Sequence, residues 1–247
     1  MKTLVLIVLS FTLLIHCKEK PDAQKIVDHA IEASGGKMIA KCTIEFTFRD
    51  RSYKLHHEKE GRILSRKTMT DSGEILDRKL PGGFERYFRD SLLVIPDSMA
   101  RKYANSVNSV HYFAYLPSGL NDAAVNKEYL GTTLINGQSY YKIQITFDQE
   151  DGGEDFEDVF VYWFNQESGN PDYLAYVYHT DGGGMRFRAA QNPRRIGGIR
   201  FVDYENYKPK DKGVLLQSLD SLYETGELEL LSVIALKDIR VTPDNYN

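Results

Sequence analysis

The chain has 247 residues, 42% of them apolar, a formal charge of −4 and two cysteines. That much apolar material can close a core by burial alone, and the mildly acidic balance gives no electrostatic attraction to nucleic acid or anionic lipid. Two cysteines exclude the disulfide framework that holds many small secreted folds together.

Lys2 opens the chain and an apolar run follows from Leu4 to Ile15. The run is too short for a spanning helix, which needs about 20 apolar residues, and reads as the core of a signal peptide. Leu14, Ile15 and His16 lead into Cys17, and the polar stretch Lys18 to Gln24 comes next. This junction resembles a bacterial lipobox, which is cut before a cysteine that has received a diacylglyceryl group; His16 stands where Gly, Ala or Ser is usual. The resemblance implies a signal peptide over residues 1–16, a lipidated Cys17 and a tether over 17–24, leaving a mature chain of 231 residues. The alternative is a secreted protein with a loosely defined cut. Loss of Lys2 moves the charge to −5, so membrane attachment would come from acyl chains and not from protein charge.

After the tether, Asp22 is placed to cap a helix over about 23–33, with Ala23, Ile26, Val27, Ala30 and Ile31 on one face and Ser34, Gly35 and Gly36 at its end. His29 falls on the polar edge of that helix and is expected to be exposed. Ile44, Phe46 and Phe48 then alternate with Glu45 and Thr47, the period of a half-buried strand, and Cys42 shares their parity as an expected buried thiol. Tyr53 to Glu60 and Arg62 to Thr70 read as an exposed meander, and Gly82 and Gly83 turn the chain into a strand region over 84–95. Beyond Pro96 and Asp97 the period changes. Met99, Tyr103, Val107, Val110 and Ala114 recur at helical spacing until Pro117, with His111 at the edge of the stripe.

The second half carries the strongest strand signal. Asn136 and Gly137 form a two-residue hairpin turn between LGTTLI and QSYYKIQITF, and VFVYWF, DYLAYVYH, MRFRAA, IGGIRFVDYENY and LELLSVIALKDIRV follow. Leu215, Leu216, Leu219 and Leu222 allow one more short helix. The expected fold is mainly β (α+β): a curved antiparallel sheet or half-barrel of about nine to eleven strands, capped by two or three helices, with residues 25–247 as a single domain. In VFVYWF and DYLAYVYH both faces are apolar, so these strands are either covered on both sides or line an apolar cavity on one. Scarcity of helices favours the cavity. Phe46, Phe48, Phe160, Tyr162, Leu174 and Tyr176 are assigned to its lining.

The lipobox-like start, the helix ending in Gly-Gly, the strand FTFRDRSY, the mid-chain helix with its Pro break and the run YWFNQES, DYLAYVYHTDGGGMRFR and GIRFVDYENY resemble a family of uncharacterised Bacteroidota lipoproteins. That family is in turn similar to lipoprotein-sorting carriers of the LolA/LolB type. The resemblance implies a curved half-barrel whose helices cap a cavity for acyl chains, and it implies no catalytic residue.

Chemistry motifs are sparse. There is no GxSxG, HExxH, CxxC, Walker A or dinucleotide fingerprint, and no cofactor or metal is expected. His56 and His57 are adjacent on a strand and point to opposite faces, so they do not chelate one ion. His179 with Asp181 is the one His–carboxylate neighbour pair that a hydrolase could use. Asp148, Glu150, Asp151, Glu154, Asp155, Glu157 and Asp158 crowd one loop, but their spacing matches no EF-hand, and a solvated hairpin tip is the simpler reading. Arg186, Arg188, Arg194, Arg195 and Arg200 lie nearby and could pair with that loop or meet lipid phosphates. Together these features point to a non-enzymatic envelope lipoprotein that binds an acyl chain or another hydrophobic molecule, lipid-anchored to the outer membrane. A glycan- or protein-binding module that uses its sixteen tyrosines as an aromatic surface is the alternative.

Overall fold

The computed structural model describes residues 20–150, 156–179, 182–211 and 213–244. Cys17, the acidic residues Asp151, Glu154 and Asp155, and Asp181 lie outside the described residues. Helices α1 (Ala23–Ala33) and α2 (Gly36–Ile39) lead into β1 (Cys42–Phe48), β2 (Arg51–Glu58), β3 (Gly61–Thr70), β4 (Gly73–Leu80), β5 (Gly83–Phe88) and the two-residue β6 (Ser91–Leu92). Helix α3 (Asp97–Ala114) follows. Strands β7 (Val125–Ile135), β8 (Gln138–Phe147), β9 (Val159–Asn165), β10 (Pro171–Tyr178), β11 (Gly184–Ile196) and β12 (Ile199–Pro209) come next, then α4 (Leu219–Glu224), β13 (Leu228–Ile234) and β14 (Leu236–Pro243).

These strands form two open, curved, antiparallel sheets of seven. The first runs β14-β1-β2-β3-β4-β5-β6 and the second β13-β12-β11-β10-β9-β8-β7. The mainly β, capped and curved architecture is the one that the strand pattern predicts, with more strands. GEILDRKL forms β4 although its charges hide its period. The region 84–95 yields β5 and β6 before it leaves the sheet. LELLSVIALKDIRV breaks at Ala235, where the chain passes from the edge of the second sheet to the edge of the first. The array is therefore divided in two, with α3 bridging from β6 to β7.

Local signals act as their chemistry dictates. The Asp22 carboxylate accepts from the amides of Gln24 at 2.9 Å and Lys25 at 3.4 Å and starts α1. Gly35, at φ +77°, reverses the chain after it, and the carbonyl of Gly198 occupies the space that a β-carbon at Gly35 would need. Asn136 and Gly137 take φ of 51° and 74°, the paired positive values of a type I′ hairpin turn. His29 is exposed.

The inner faces of both sheets share one core with α1 and α3. Ile44, Phe46, Tyr53, Leu55 and Leu64 come from the first sheet, Ile143, Tyr162, Phe164, Leu174, Phe201 and Tyr204 from the second, and Val107, Val110 and Ala114 from α3. The region read as an exposed meander is thus largely buried: Tyr53, Leu55, Leu64 and Arg66 lie on the inner face with α3, Ile63 and Ser65 are buried on the other face, and the alternating Lys54, Glu58 and Lys67 are exposed there. A second core lies on the other face of β9 and β10. There Val161, Trp163, Tyr173, Ala175 and Phe187 are covered by Leu216, Leu219 and Tyr223 from the α4 segment. Asp220, itself buried, fixes that cover by accepting from the Trp163 indole at 3.1 Å and pairing with Lys142 at 2.6 Å.

Cys42 packs on the same inner face as Ile44, and burial pushes its thiol up to about 11. A thiolate is the reactive form, so a thiol reagent at pH 8 should leave the folded protein unmodified over minutes and label it stoichiometrically in denaturant.

His111 is buried rather than at the boundary of its stripe. Its Nε2 donates to the Ser65 carbonyl at 3.1 Å, which leaves Nδ1 to accept from the Tyr115 hydroxyl at 3.0 Å. Burial holds its pKa down at about 4, against an ordinary 6.5. The unfolded chain therefore binds the extra proton first as pH falls. Stability should drop between pH 6.5 and about 4, by up to about 3 kcal/mol, and this contribution should level off below. His111→Gln should be less stable at pH 7 yet lose that part of the pH dependence, as urea midpoints at each pH would record.

Candidate functional site

The register of each sheet lines up its inward side chains in rows. Across the second sheet one row reads Tyr129, Ile143, Tyr162, Leu174, Arg188, and the next reads Ile145, Phe160, Tyr176, Arg186. Across the first sheet Phe46, Tyr53, Arg66, Asp77 and Arg86 form one row, and Phe48, Arg51, Thr68, Ile75 and Phe88 the next. Three of these rows begin apolar and end in an arginine, and the fourth carries Arg51 next to Phe48.

All six residues assigned from parity to a cavity lining face the shared interior. Phe46, Tyr162 and Leu174 are fully buried there, while Phe48, Phe160 and Tyr176 are half-buried and pack against it. Phe160 stacks on Tyr176 with ring centres 5.2 Å apart, meets Phe147 edge-on at 5.8 Å and lies 5.9 Å from Tyr112 of α3. Phe48 meets Phe113 edge-on at 5.4 Å. The Arg188 guanidinium sits 5.2 Å from the ring centres of both Phe113 and Tyr176 and donates to the Tyr176 hydroxyl at 3.0 Å, while its Nε is buried without a hydrogen-bond partner. These contacts join the two sheets and α3 in one aromatic layer that runs from a dry centre to a half-open rim.

Two hydroxyls inside this layer pair with each other. Tyr112 and Tyr162 share a hydrogen bond of 2.9 Å, and burial pushes Tyr112 up to about 12 and Tyr162 well above its ordinary value. Both stay protonated at neutral pH and offer polarity without charge. Sequence reasoning misses Tyr112, Phe113 and Phe147, because a helical stripe marks only the side of α3 that faces the first sheet. Tyr112 and Phe113, next to each other after His111, are the signal for a second buried side.

The other candidates disperse. His179 is exposed at the end of β10, and His56 and His57 bond to Glu58 at 3.0 Å and Asp244 at 3.3 Å. The arginines of β11 and β12 find partners within the fold: Arg186 bonds Tyr178, Arg194 pairs with Asp203 at 3.0 Å, Arg195 reaches the Ala33 carbonyl, and Arg200 pairs with Asp172 at 2.8 Å. Among the described residues no group of three or more His, Cys, Asp or Glu side chains is placed to hold a metal ion. Nor, among them, is any helix long and apolar enough to cross a membrane. A recess of about 650 Å³ lies on the opposite face of the first sheet, where Glu45, Lys54, His56, Lys67, Arg78 and Arg240 mix both charge signs.

A family model matches residues 2–235. The chain belongs to DUF6503, a family of unknown function. No curated protein matches it. Among solved structures, the DUF6503 chain is similar to a LolA superfamily protein from Nitrosomonas europaea, at 12% identity and a TM-score of 0.50, over 92% of this chain and 96% of that one. It is also similar to a DUF1329 family protein from Desulfovibrio piger, at 11% identity and a TM-score of 0.46 over 88% and 92% of the two chains. An outer membrane lipoprotein-sorting protein domain from Vibrio parahaemolyticus gives 10% identity and 0.43 over 89% and 93%. The first of these likenesses shows that the DUF6503 chain shares the LolA-type fold.

Proposed function

We propose that this protein is a non-enzymatic lipoprotein of the cell envelope that holds an acyl chain or a similar hydrophobic molecule between its two sheets. The observation that carries the reading is the aromatic layer, in which six residues from three strands meet on one interior and the outermost three are half-buried. The fold shared with a LolA superfamily protein supports it. A ligand would enter past Phe48, Phe160 and Tyr176 and separate Tyr112 and Phe113 from the second sheet. A chain of sixteen carbons transfers about fifteen CH₂ groups, worth roughly 12 kcal/mol gross, so micromolar binding survives the cost of immobilising the ligand and parting the aromatic stack. The aromatic-surface alternative has less to stand on, because every tyrosine among the described residues is buried or half-buried.

Delipidated wild-type protein should take up a fluorescent fatty acid saturably in the micromolar range. Phe160→Glu or Tyr176→Glu should weaken uptake by tenfold or more, since a carboxylate beside the bound chain would be desolvated. Met69→Glu, at an exposed position, should have no effect. Unchanged thermal unfolding of the variants separates lost binding from lost folding, and an absence of saturable uptake by wild type would end the reading.

We further propose that residues 1–16 are removed and that Cys17 carries the acyl anchor to the outer membrane. Cys17→Ala should then move the protein from the membrane pellet to the soluble fraction after a carbonate wash. Retention in the pellet would place the anchor elsewhere.

A further inference from the structure

On the first sheet the inner rows turn from aromatic to cationic under the first half of α3, and a hollow of about 430 Å³ opens there. Arg51, Arg66, Thr68, Ile75 and Arg86 line it from the sheet, and Lys102, Tyr103 and Ser106 from the helix. Four cations thus surround one space. The fully buried carboxylate of Asp77 lies between two of them, accepting from Arg66 at 2.6 and 3.1 Å and from Arg86 at 2.6 and 3.1 Å. Ser106 accepts from Arg66 at 2.8 Å, and the Tyr103 ring lies 3.4 Å from the Arg86 guanidinium. Those contacts hold the two arginines in fixed planes at the floor.

The charges at the rim are not balanced in the same way. Among the described residues the carboxylate beside Arg51 is the exposed Asp50 at 3.8 Å, beyond hydrogen-bond range; Arg51 also interacts with the neutral Tyr53 hydroxyl, and its Nε is buried without a hydrogen-bond partner. Lys102 is exposed on α3 directly across the hollow. Counting Asp77 and Asp50 against the four cations, the site keeps two positive charges, and Thr68 and Tyr103 add hydroxyl donors. A fixed guanidinium floor with further cations at the rim matches a tetrahedral oxyanion, because phosphate oxygens accept several charge-assisted hydrogen bonds at once.

We propose that this hollow is a binding site for a phosphate group, either as the free anion or as the phosphomonoester headgroup of a lipid. Its place in the fold makes both sources reachable. Arg51 sits directly across the strand pair from Phe48, so the hollow adjoins the rim of the aromatic layer, and an acyl chain in that layer would bring its headgroup to Arg51. The headgroup source rests on the carrier reading above; the free-anion source does not.

The test titrates the full chain calorimetrically, in 150 mM salt, with inorganic phosphate, with dihexanoyl phosphatidic acid below its micelle concentration, and with dihexanoyl phosphatidylcholine. The Arg51→Gln/Lys102→Gln double variant is titrated in parallel, and unfolding curves establish that its fold is intact. Saturable binding of inorganic phosphate that weakens about tenfold or more in the variant, the loss expected of one charge-assisted hydrogen bond, supports the free-anion source. Binding of phosphatidic acid alone, with the same loss in the variant and weaker binding of the choline lipid, supports the headgroup source. If neither phosphate ligand binds, or if both bind the variant as tightly as the wild type, the proposal is overturned. Equal uptake of the choline lipid by both proteins in that case would leave the carrier reading standing.

Discussion

Two consecutive residues of α3 tie the sheets to each other. His111 donates to the backbone of β3 in the first sheet, and Tyr112 bonds Tyr162 of β9 in the second. Neighbouring helical residues point about 100° apart, so a helix lying in the cleft between two sheets can bond to both with adjacent side chains. The helix has little stability of its own. It is rich in Asn and Ser and begins without a side-chain cap, so its form depends on the surfaces it touches, and those surfaces depend on it for cover. Burial of His111 as a neutral imidazole, with both nitrogens satisfied, follows from that mutual dependence.

The same constraint explains how much was legible beforehand. Period-two alternation in CTIEFTF sorts inward from outward side chains, since a strand fixes parity wherever one face is buried, whereas in VFVYWF and DYLAYVY it separates two apolar faces without telling which one meets the first sheet. Asn136-Gly137 specifies its turn, and Asp22 its helix start, through local chemistry alone. Parity groups Phe160 with Tyr162 and Leu174 with Tyr176, but that both pairs share one interior with Phe46 and Phe48 follows from the way the two sheets pack. What stayed hidden requires tertiary knowledge. The alternation of GEILDRKL is masked because Asp77 points inward, and nothing local shows that Arg66 and Arg86 flank it across the ladder. Tyr112 and Phe113 look like a breach in an amphipathic stripe until a second sheet is known to stand behind them.

Charge on an inner face is costly unless paired, and the first sheet places its charge with economy. Asp77 and Arg66 are almost inaccessible, so removing Asp77 would leave the Arg66 charge uncompensated in a buried place, whereas removing Arg66 would leave Asp77 paired with Arg86 alone. Apolar side chains in the same positions would pack at less risk. The arrangement instead keeps two guanidinium planes fixed beside an open hollow.

Both faces of the second sheet are covered, but by covers of different strength. On the side of α4, Asp220 is buried with Lys142 and Trp163, and parting them would strand a charge at a cost of about 3 to 5 kcal/mol. On the side of α3, the polar tie to the second sheet is the Tyr112–Tyr162 hydrogen bond, a neutral pair whose net worth is about 1 kcal/mol and whose hydroxyls can turn to other partners. The remaining contacts there are ring against ring, as between Tyr112 and Phe160, and the Arg188 guanidinium against the Phe113 ring. The two faces are thus unequal in what it takes to open them. Of the two apolar cores, the one between the sheets is covered by the weaker polar tie.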